Sequence, residues 1–277
     1  MNTSTTTNTA KYIDNSAAIG IFDSGVGGLS IAKCIAEQLP NEQLIYIADT
    51  LHAPYGEKSI AYITERVNII ANQLIAQGVK ALVIACNTAT VNAIDQLRAR
   101  VNIPVIGVEP AIKPAVQQSI NKKVAVLVTQ ATSENERFNA LVNRYKNGAD
   151  VFIQPCPGLV EIVESSQIST KHCNELLNQY IEPLLAQGVD NIVLGCTHYP
   201  FLQQKIQAIV ANRHVTIVET ASPVTRQLHK RLTELNIANQ CQKAKQVIFY
   251  SSKPCSKQQA LFSQLWQQSI QLEMFDH

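Results

Sequence analysis

Residues 74–88, LIAQGVKALVIACNT, and residues 184–198, LLAQGVDNIVLGCTH, align at a constant offset of 110 positions with Leu, Ala, Gln, Gly, Val, Val and Cys identical. In each copy a glycine, Gly78 or Gly188, stands where a helix would end, because glycine takes the left-handed conformation that closes one. A continuous apolar run follows and stops at a cysteine, with polar residues directly behind it: Cys86-Asn87-Thr88 and Cys196-Thr197-His198. Such a run suits a strand buried on both faces, as in a parallel sheet covered by helices. The repeat therefore predicts two related α/β halves, each with a cysteine at the carboxyl end of a buried strand. A weaker echo pairs AIGIFDS (18–24) with VAVLVTQ (124–130), again an apolar strand followed at once by polar residues.

Working outward, strands are expected at AAIGIF (17–22), LIYIAD (44–49), ALVIAC (81–86), VAVLV (124–128), DVFIQ (150–154), NIVLGC (191–196) and VTIVET (215–220). Stretches of helical periodicity around 59–76, 89–99, 133–146, 171–187 and 201–212 lie between them. Turn signals at Gly78, Asn121, Gly148 and Gly188 precede strands. The alternation predicts an α/β fold of two pseudo-symmetric, doubly wound, flavodoxin-like domains with mainly parallel sheets and a ligand cleft between them. The expected division is a flexible N-terminal tail over 1–16, too poor in apolar residues to offset its ordering entropy. A first domain is expected from 17–110 plus 221–277, with a second, 111–220, inserted in it.

The 277 residues are 46% hydrophobic and 16% charged, with 23 Lys+Arg against 21 Asp+Glu. That is enough apolar material for one large core or two modest ones. A formal charge of +2 without a long run of one sign lacks the footprint of a nucleic-acid binder. No stretch of about 18 apolar residues is uninterrupted, and MNTSTTTNTA lacks a secretory profile, so no membrane partner and a cytoplasmic location are expected. Cysteines at 34, 86, 156, 173, 196, 241 and 255 fit neither a disulfide framework nor a paired metal motif. Reduced thiols and no metal are expected.

Ligands of open parallel α/β sheets bind at the carboxyl ends of strands. Two halves related by a pseudo-two-fold axis would bring Cys86 and Cys196 to one cleft from opposite sides. Inverting a stereocentre needs that arrangement, since one group removes a proton from one face and another delivers a proton to the opposite face. A thiol, with an unperturbed pKa of about 8.5, can serve in either protonation state near neutrality. Two alternatives stay open on these residues alone: inert packing cysteines, or zinc ligands together with His198, although the ligands lack close pairing.

Asp23 and Ser24 end the first strand in IGIFDSGVGGLS, where Gly25, Gly27 and Gly28 let the backbone turn sharply and approach a ligand. The loop matches neither the dinucleotide nor the P-loop pattern. Asp23 could hold an ammonium group or assist the first thiol; equally, Asp23 or Ser24 could cap the next helix. In ADTLHAPYGEKS (48–59), Pro54, Tyr55 and Gly56 could bring backbone N–H groups and a phenol to a carboxylate, or be plain turn residues. Asn87, Thr88 and Thr197 offer short polar groups beside the cysteines, and His198 could polarise or deprotonate Cys196. Glu109, in IGVEPA, and Glu164, in CPGLVEIVESS, are further acidic candidates.

In this order, DSGVGG (23–28), ADTLHAPYG (48–56), CNTAT (86–90), GVEPA (107–111) and GCTHYPFL (195–202) resemble the motifs of the glutamate racemases, within the cofactor-independent aspartate/glutamate racemase superfamily. The resemblance covers roughly residues 18–220. It implies that Cys86 handles the D enantiomer and Cys196 the L enantiomer, with Asp23 assisting Cys86 and His198 assisting Cys196. Glu164 matches the additional active-site glutamate. Substrate contacts are implied for Asp23, Ser24, Tyr55, Gly56, Asn87, Thr88, Thr132, Thr197 and His198. Further implications are no pyridoxal phosphate or other cofactor, no metal, a homodimer, and a D-glutamate product used in peptidoglycan.

The HYP sequence at 198–200 favours glutamate over the sister aspartate racemases, and two retained cysteines argue against a non-catalytic amino-acid binding protein. The chain departs from the pattern in two places. Val128-Thr129-Gln130-Ala131-Thr132 replaces a Gly-Thr-x-Gly-Thr turn, and Glu219 stands where Asp is usual. The N-terminal tail resembles extensions of members controlled by a peptidoglycan precursor, which makes such a precursor a candidate effector.

Overall fold

The computed structural model describes residues 14–241 and 246–275. The tail expected over 1–16 lies outside the described residues except at 14–16. Those three form a turn: the Ala17 N–H donates to Asp14 O at 3.0 Å and the buried Lys80 ammonium to Asn15 O at 2.6 Å.

Strands β1 (Ile19–Asp23), β2 (Leu44–Ala48), β3 (Ala81–Ile84) and β4 (Val105–Gly107) form one sheet together with the C-terminal β9 (Val247–Ser251) and β10 (Leu272–Met274). Its order is β10-β9-β2-β1-β3-β4. Strands β5 (Lys123–Val128), β6 (Asp150–Pro155), β7 (Asn191–Leu194) and β8 (Thr216–Val218) form a second sheet in the order β6-β5-β7-β8. The order 2-1-3-4 therefore occurs twice, and every pairing is parallel. The internal repeat read from the sequence is a repeat of topology, with β3 and β7 as equivalent strands.

Both faces of both sheets are covered, which explains the unbroken apolar runs. In β2, Leu44, Tyr46 and Ala48 face one core cluster while Ile45 and Ile47 face another. In β5, Ala125 and Leu127 join that same first cluster, and Val124, Val126 and Val128 face a third. The first cluster runs through both halves and is the inner core. It is completed by α1 (Leu29–Gln38), α8 (Lys171–Ala186), α9 (Gln203–Val210), α10 (Ala221–Glu234) and α11 (Ser256–Trp266). The outer faces are covered by α2 (Ile60–Ala76) and α3 (Asn87–Arg100) on the first sheet, and by α4 (Ile112–Gln118) and α6 (Glu136–Tyr145) on the second. Burying each Val, Leu or Ile contributes about 1.5–3 kcal/mol, so a polar residue facing either way would be costly.

The repeat also differs usefully at Lys80 and Asp190, which immediately precede the equivalent strands β3 and β7. Lys80 pairs with Glu42 at 2.5 Å and holds Asn15, whereas Asp190 accepts the N–H groups of Ile120 and Asn121, both at 2.7 Å. Each half thus ties down the chain that leads into it, with opposite charge. Gly78, Gly148 and Gly188 have φ of +79°, +77° and +83° as their turns require, while at the turn expected on Asn121 the left-handed residue is Lys122, at 56°. The helix expected over 133–146 is two helices, α5 (Gln130–Ser133) and α6, because Thr129 and Asn135 each cap a start by accepting an N–H, from Thr132 at 3.3 Å and Phe138 at 3.1 Å. Among the described residues no helix is long and apolar enough to cross a membrane.

Candidate active site

Cys86 lies two residues beyond β3 and caps α3, its Sγ accepting the Ala89 N–H at 3.4 Å. A sulfur anion here would sit at the positive end of a helix dipole. Ser24 Oγ, on the loop after β1, is 3.6 Å from the same sulfur. Against these, burial and then the Asp23 charge push the thiol up to about 12. Cys196 lies two residues beyond β7, with its Sγ 3.7 Å from His198 Nδ1. His198 Nε2 is 2.7 Å from Oε1 of Glu164, the last residue of α7 (Leu159–Glu164). Both thiols are buried, and both line one cavity of about 100 Å³ between the halves, shared with Ser24, Tyr55, Asn87 and Thr197.

Burial alone would push His198 down, but the hydrogen bonds and charges of Cys196 and Glu164 outweigh it and hold the imidazolium well above its ordinary range. Burial likewise acts to raise Glu164; the His198 bond and charge and the Val26 N–H, at 2.9 Å, bring it below the usual carboxylate value. Asp23, fully buried, is raised by that burial even though His198 and the Gly25 N–H favour its charge. The site thus holds a cation beside Cys196 and a carboxyl that gives up its proton reluctantly beside Cys86.

The glycine loop brings these groups together across the interface. A Cβ on Gly25 or Gly27 would collide with the Glu164 carboxylate or the His198 ring respectively, and one on Gly28 would lie 2.6 Å from Asp23 Cβ. Only bare backbone lets this loop of the first half press against the second. Thr197 Oγ1 donates to Asp23 Oδ2 at 3.3 Å, and Ser30 Oγ reaches Thr197 O at 3.0 Å. Among the described residues no three His, Cys, Asp or Glu side chains gather to hold a metal ion.

The Asp/Glu/Hydantoin racemase family model matches residues 19–228. The chain belongs to that family. It is 44% identical to a glutamate racemase of Ectopseudomonas mendocina over 260 residues, covering 94% of this chain and 98% of the relative. Among solved structures, a glutamate racemase isoform from Bacillus anthracis superposes with a TM-score of 0.87 at 29% identity, covering 95% of this chain and 98% of that one. A Francisella tularensis glutamate racemase in complex with D-glutamate superposes with a TM-score of 0.83 at 30% identity, again covering 95% and 98%.

Within this racemase-family fold, the cleft gathers most of the residues singled out in the sequence: Ser24, Tyr55, Gly56, Cys86, Asn87, Thr88, Cys196, Thr197 and His198 line it. Asp23 and Glu164 stand behind that wall, joined to it through Thr197 and His198. Thr132 is not part of that lining. Its side chain is fully buried and its Oγ1 lies 3.0 Å from Thr129 Oγ1, so Thr129 takes the wall position and reaches Thr88 Oγ1 at 3.3 Å. The Tyr55 phenol, one of the groups this turn could bring to a carboxylate, donates its O–H to Asp49 Oδ2 at 2.6 Å. Glu109 is directed elsewhere, to Arg137 at 3.3 Å on the surface.

Sequence reasoning missed Asp49, Arg66, Thr129 and Cys156. Arg66, from mid-helix α2, makes two 2.9 Å bonds to Asp49. Cys156 follows β6 as Asp49 follows its equivalent β2, and it lines the cleft with burial, then the Cys196 charge, raising its thiol. Position after a strand was the available signal for both.

Proposed function

We propose that this chain is a glutamate racemase that inverts the α-carbon between Cys86 and Cys196 without a cofactor, and that its D-glutamate feeds peptidoglycan synthesis in the cytoplasm. The observation that carries the reading is that the strand-end thiols of two duplicated halves line one small cleft. Relatives and structural neighbours that are glutamate racemases, one of them in complex with D-glutamate, support glutamate as substrate.

In the L-to-D direction, Cys196 as thiolate takes the Cα proton, steadied by the His198 imidazolium that Glu164 holds. Cys86, kept as a thiol by burial and by Asp23, delivers its proton to the opposite face. The Cys86 anion left behind is accommodated by the Ala89 N–H, Ser24 and the start of α3. One proton is removed and one supplied, and the D-to-L direction exchanges the two roles. Charge that develops on the substrate carboxylate meets hydroxyls and N–H groups of Asn87, Thr88 and Thr197 that line the cleft, donors held in place before the reaction. A homodimer accompanies this reading and is checked by sedimentation equilibrium.

The test is proton NMR with polarimetry of the purified protein in deuterated buffer with chelator and no added cofactor, using L-glutamate and separately L-aspartate. Loss of the α-proton signal and of rotation with glutamate alone is expected. Turnover of aspartate alone moves the assignment to the sister activity, and silence with both, repeated with a peptidoglycan precursor added as effector, overturns the racemase reading in favour of a binding-only protein.

A further inference from the structure

Asp49 is fully buried at the end of β2, and its carboxylate receives three hydrogen bonds: two from the Arg66 guanidinium at 2.9 Å and one from the Tyr55 O–H at 2.6 Å. Three elements meet at that one group: β2, helix α2 and the 3-10 turn Tyr55–Glu57. The Asp49 N–H also donates to Asp23 O at 2.9 Å, so the cluster is bonded to the strand end that carries the Asp23 carboxylate. Around it the core is apolar, including Phe22, Ile47, Ile63 and Val67. A buried ion pair in such surroundings adds little stability over well-packed apolar side chains. What apolar packing would lack is direction, because a forked guanidinium and a phenol converging on one carboxylate set both distance and angle.

Pro54, Tyr55, Gly56 and Glu57 form one wall of the cleft, and a Cβ on Gly56 would meet Thr129 of the second half at 3.8 Å. We propose that Asp49 and Arg66 are positioning residues for the racemase reaction, holding Tyr55 and with it the 54–57 wall at the spacing the substrate requires. The proposal rests on the racemase reading above. Because the Tyr55 O–H is spent on Asp49, the cluster acts on substrate fit more than on proton transfer between the thiols.

Two variants test this. Tyr55→Phe removes only the O–H that ties the wall to Asp49, and Asp49→Asn combined with Arg66→Met removes both charges together, so neither is left buried alone. Steady-state kinetics with L-glutamate should show KM raised about tenfold with kcat changed no more than about threefold, since small misplacement of a binding wall weakens substrate positioning. Amide hydrogen exchange over residues 50–57 should accelerate in both variants while thermal midpoints stay close to the parent. Folded variants with parental KM and parental exchange overturn the proposal. If the double variant fails to fold, Tyr55→Phe decides by the same two readouts. A parent protein that does not racemise glutamate, with exchange still accelerated in the variants, sinks the racemase reading and with it the positioning role in that reaction, leaving only the tie between the cluster and the 54–57 wall; a parent that does, with neither readout moved, sinks the positioning role alone.

Discussion

His198 Nε2 lies 2.7 Å from Glu164 Oε1, and the other ring nitrogen of the same histidine lies 3.7 Å from the Cys196 thiol. Among the described residues Cys86 has no such cation as a hydrogen-bond partner; Ser24 and the Ala89 N–H stand in its place. Duplication made the two thiols equivalent in position, but their surroundings differ in charge, and the consequences can be measured.

Removing either thiol should stop racemisation and spare binding. Cys86→Ser and Cys196→Ser are each expected to lower kcat by about 10³-fold or more, in line with loss of a positioned acid–base group. Calorimetric titration with glutamate should still show binding. Near-parental turnover in either variant, read by polarimetry, would remove the two-thiol mechanism.

The pair formed by Glu164 and His198 should stabilise the protein within a defined pH window. His198 has its folded pKa raised, so its contribution is full below its unfolded value and fades as pH rises through the folded one. Glu164 has its folded pKa lowered, so its contribution is present above its unfolded value and is lost as pH falls through the folded one. The difference in thermal midpoint between the parent and Glu164→Gln should be largest between about pH 5 and 6.5 and shrink on both sides. A difference independent of pH would show that the two groups are not an ion pair.

Asp23→Asn should make Cys86 ionise more readily. Burial is the largest cause of its raised pKa and remains in the variant, but the Asp23 charge, the second cause, is gone. Alkylation of Cys86 by iodoacetamide, followed by peptide mass spectrometry, should begin at lower pH than in the parent. An unchanged or higher onset would mean that Asp23 does not act on this thiol.

Gly27→Ala should disable the site without requiring a new side-chain chemistry. The added methyl would collide with the His198 ring and lie 2.6 Å from Thr197 Oγ1. Turnover should drop about 10²-fold, the scale of a misplacement of about 1 Å. Gly78→Ala serves as control, because no atom lies within 4 Å there and its φ of +79° confines the cost to stability. Equal activity in the two variants would show that the loop is not held tightly against His198.

How much was legible follows from which interactions are local. Period and composition along 74–88 and 184–198 were enough for β3 and β7, their helices and the strand-end cysteines, because a strand buried on both faces must be apolar throughout and must stop where polar residues begin. The C-terminal β9 and β10 were not legible. They extend the first sheet at its β2 edge, and that choice of partner is made far along the chain.

At the site, the sequence by itself determined the residue types and their order: two repeated cysteines, a glycine-rich turn beside Asp23, and His198 two residues past Cys196. Only the tertiary structure decided that Glu164 meets His198, that Thr129 rather than Thr132 lines the cleft, and that Tyr55 spends its O–H on Asp49. The physical reason is the same in each case. A hydrogen bond depends on distances of a few tenths of an ångström between groups that the fold brings together, 3, 6 and 34 positions apart in these cases and 174 between Asp23 and Thr197, and no local pattern of residues encodes that spacing.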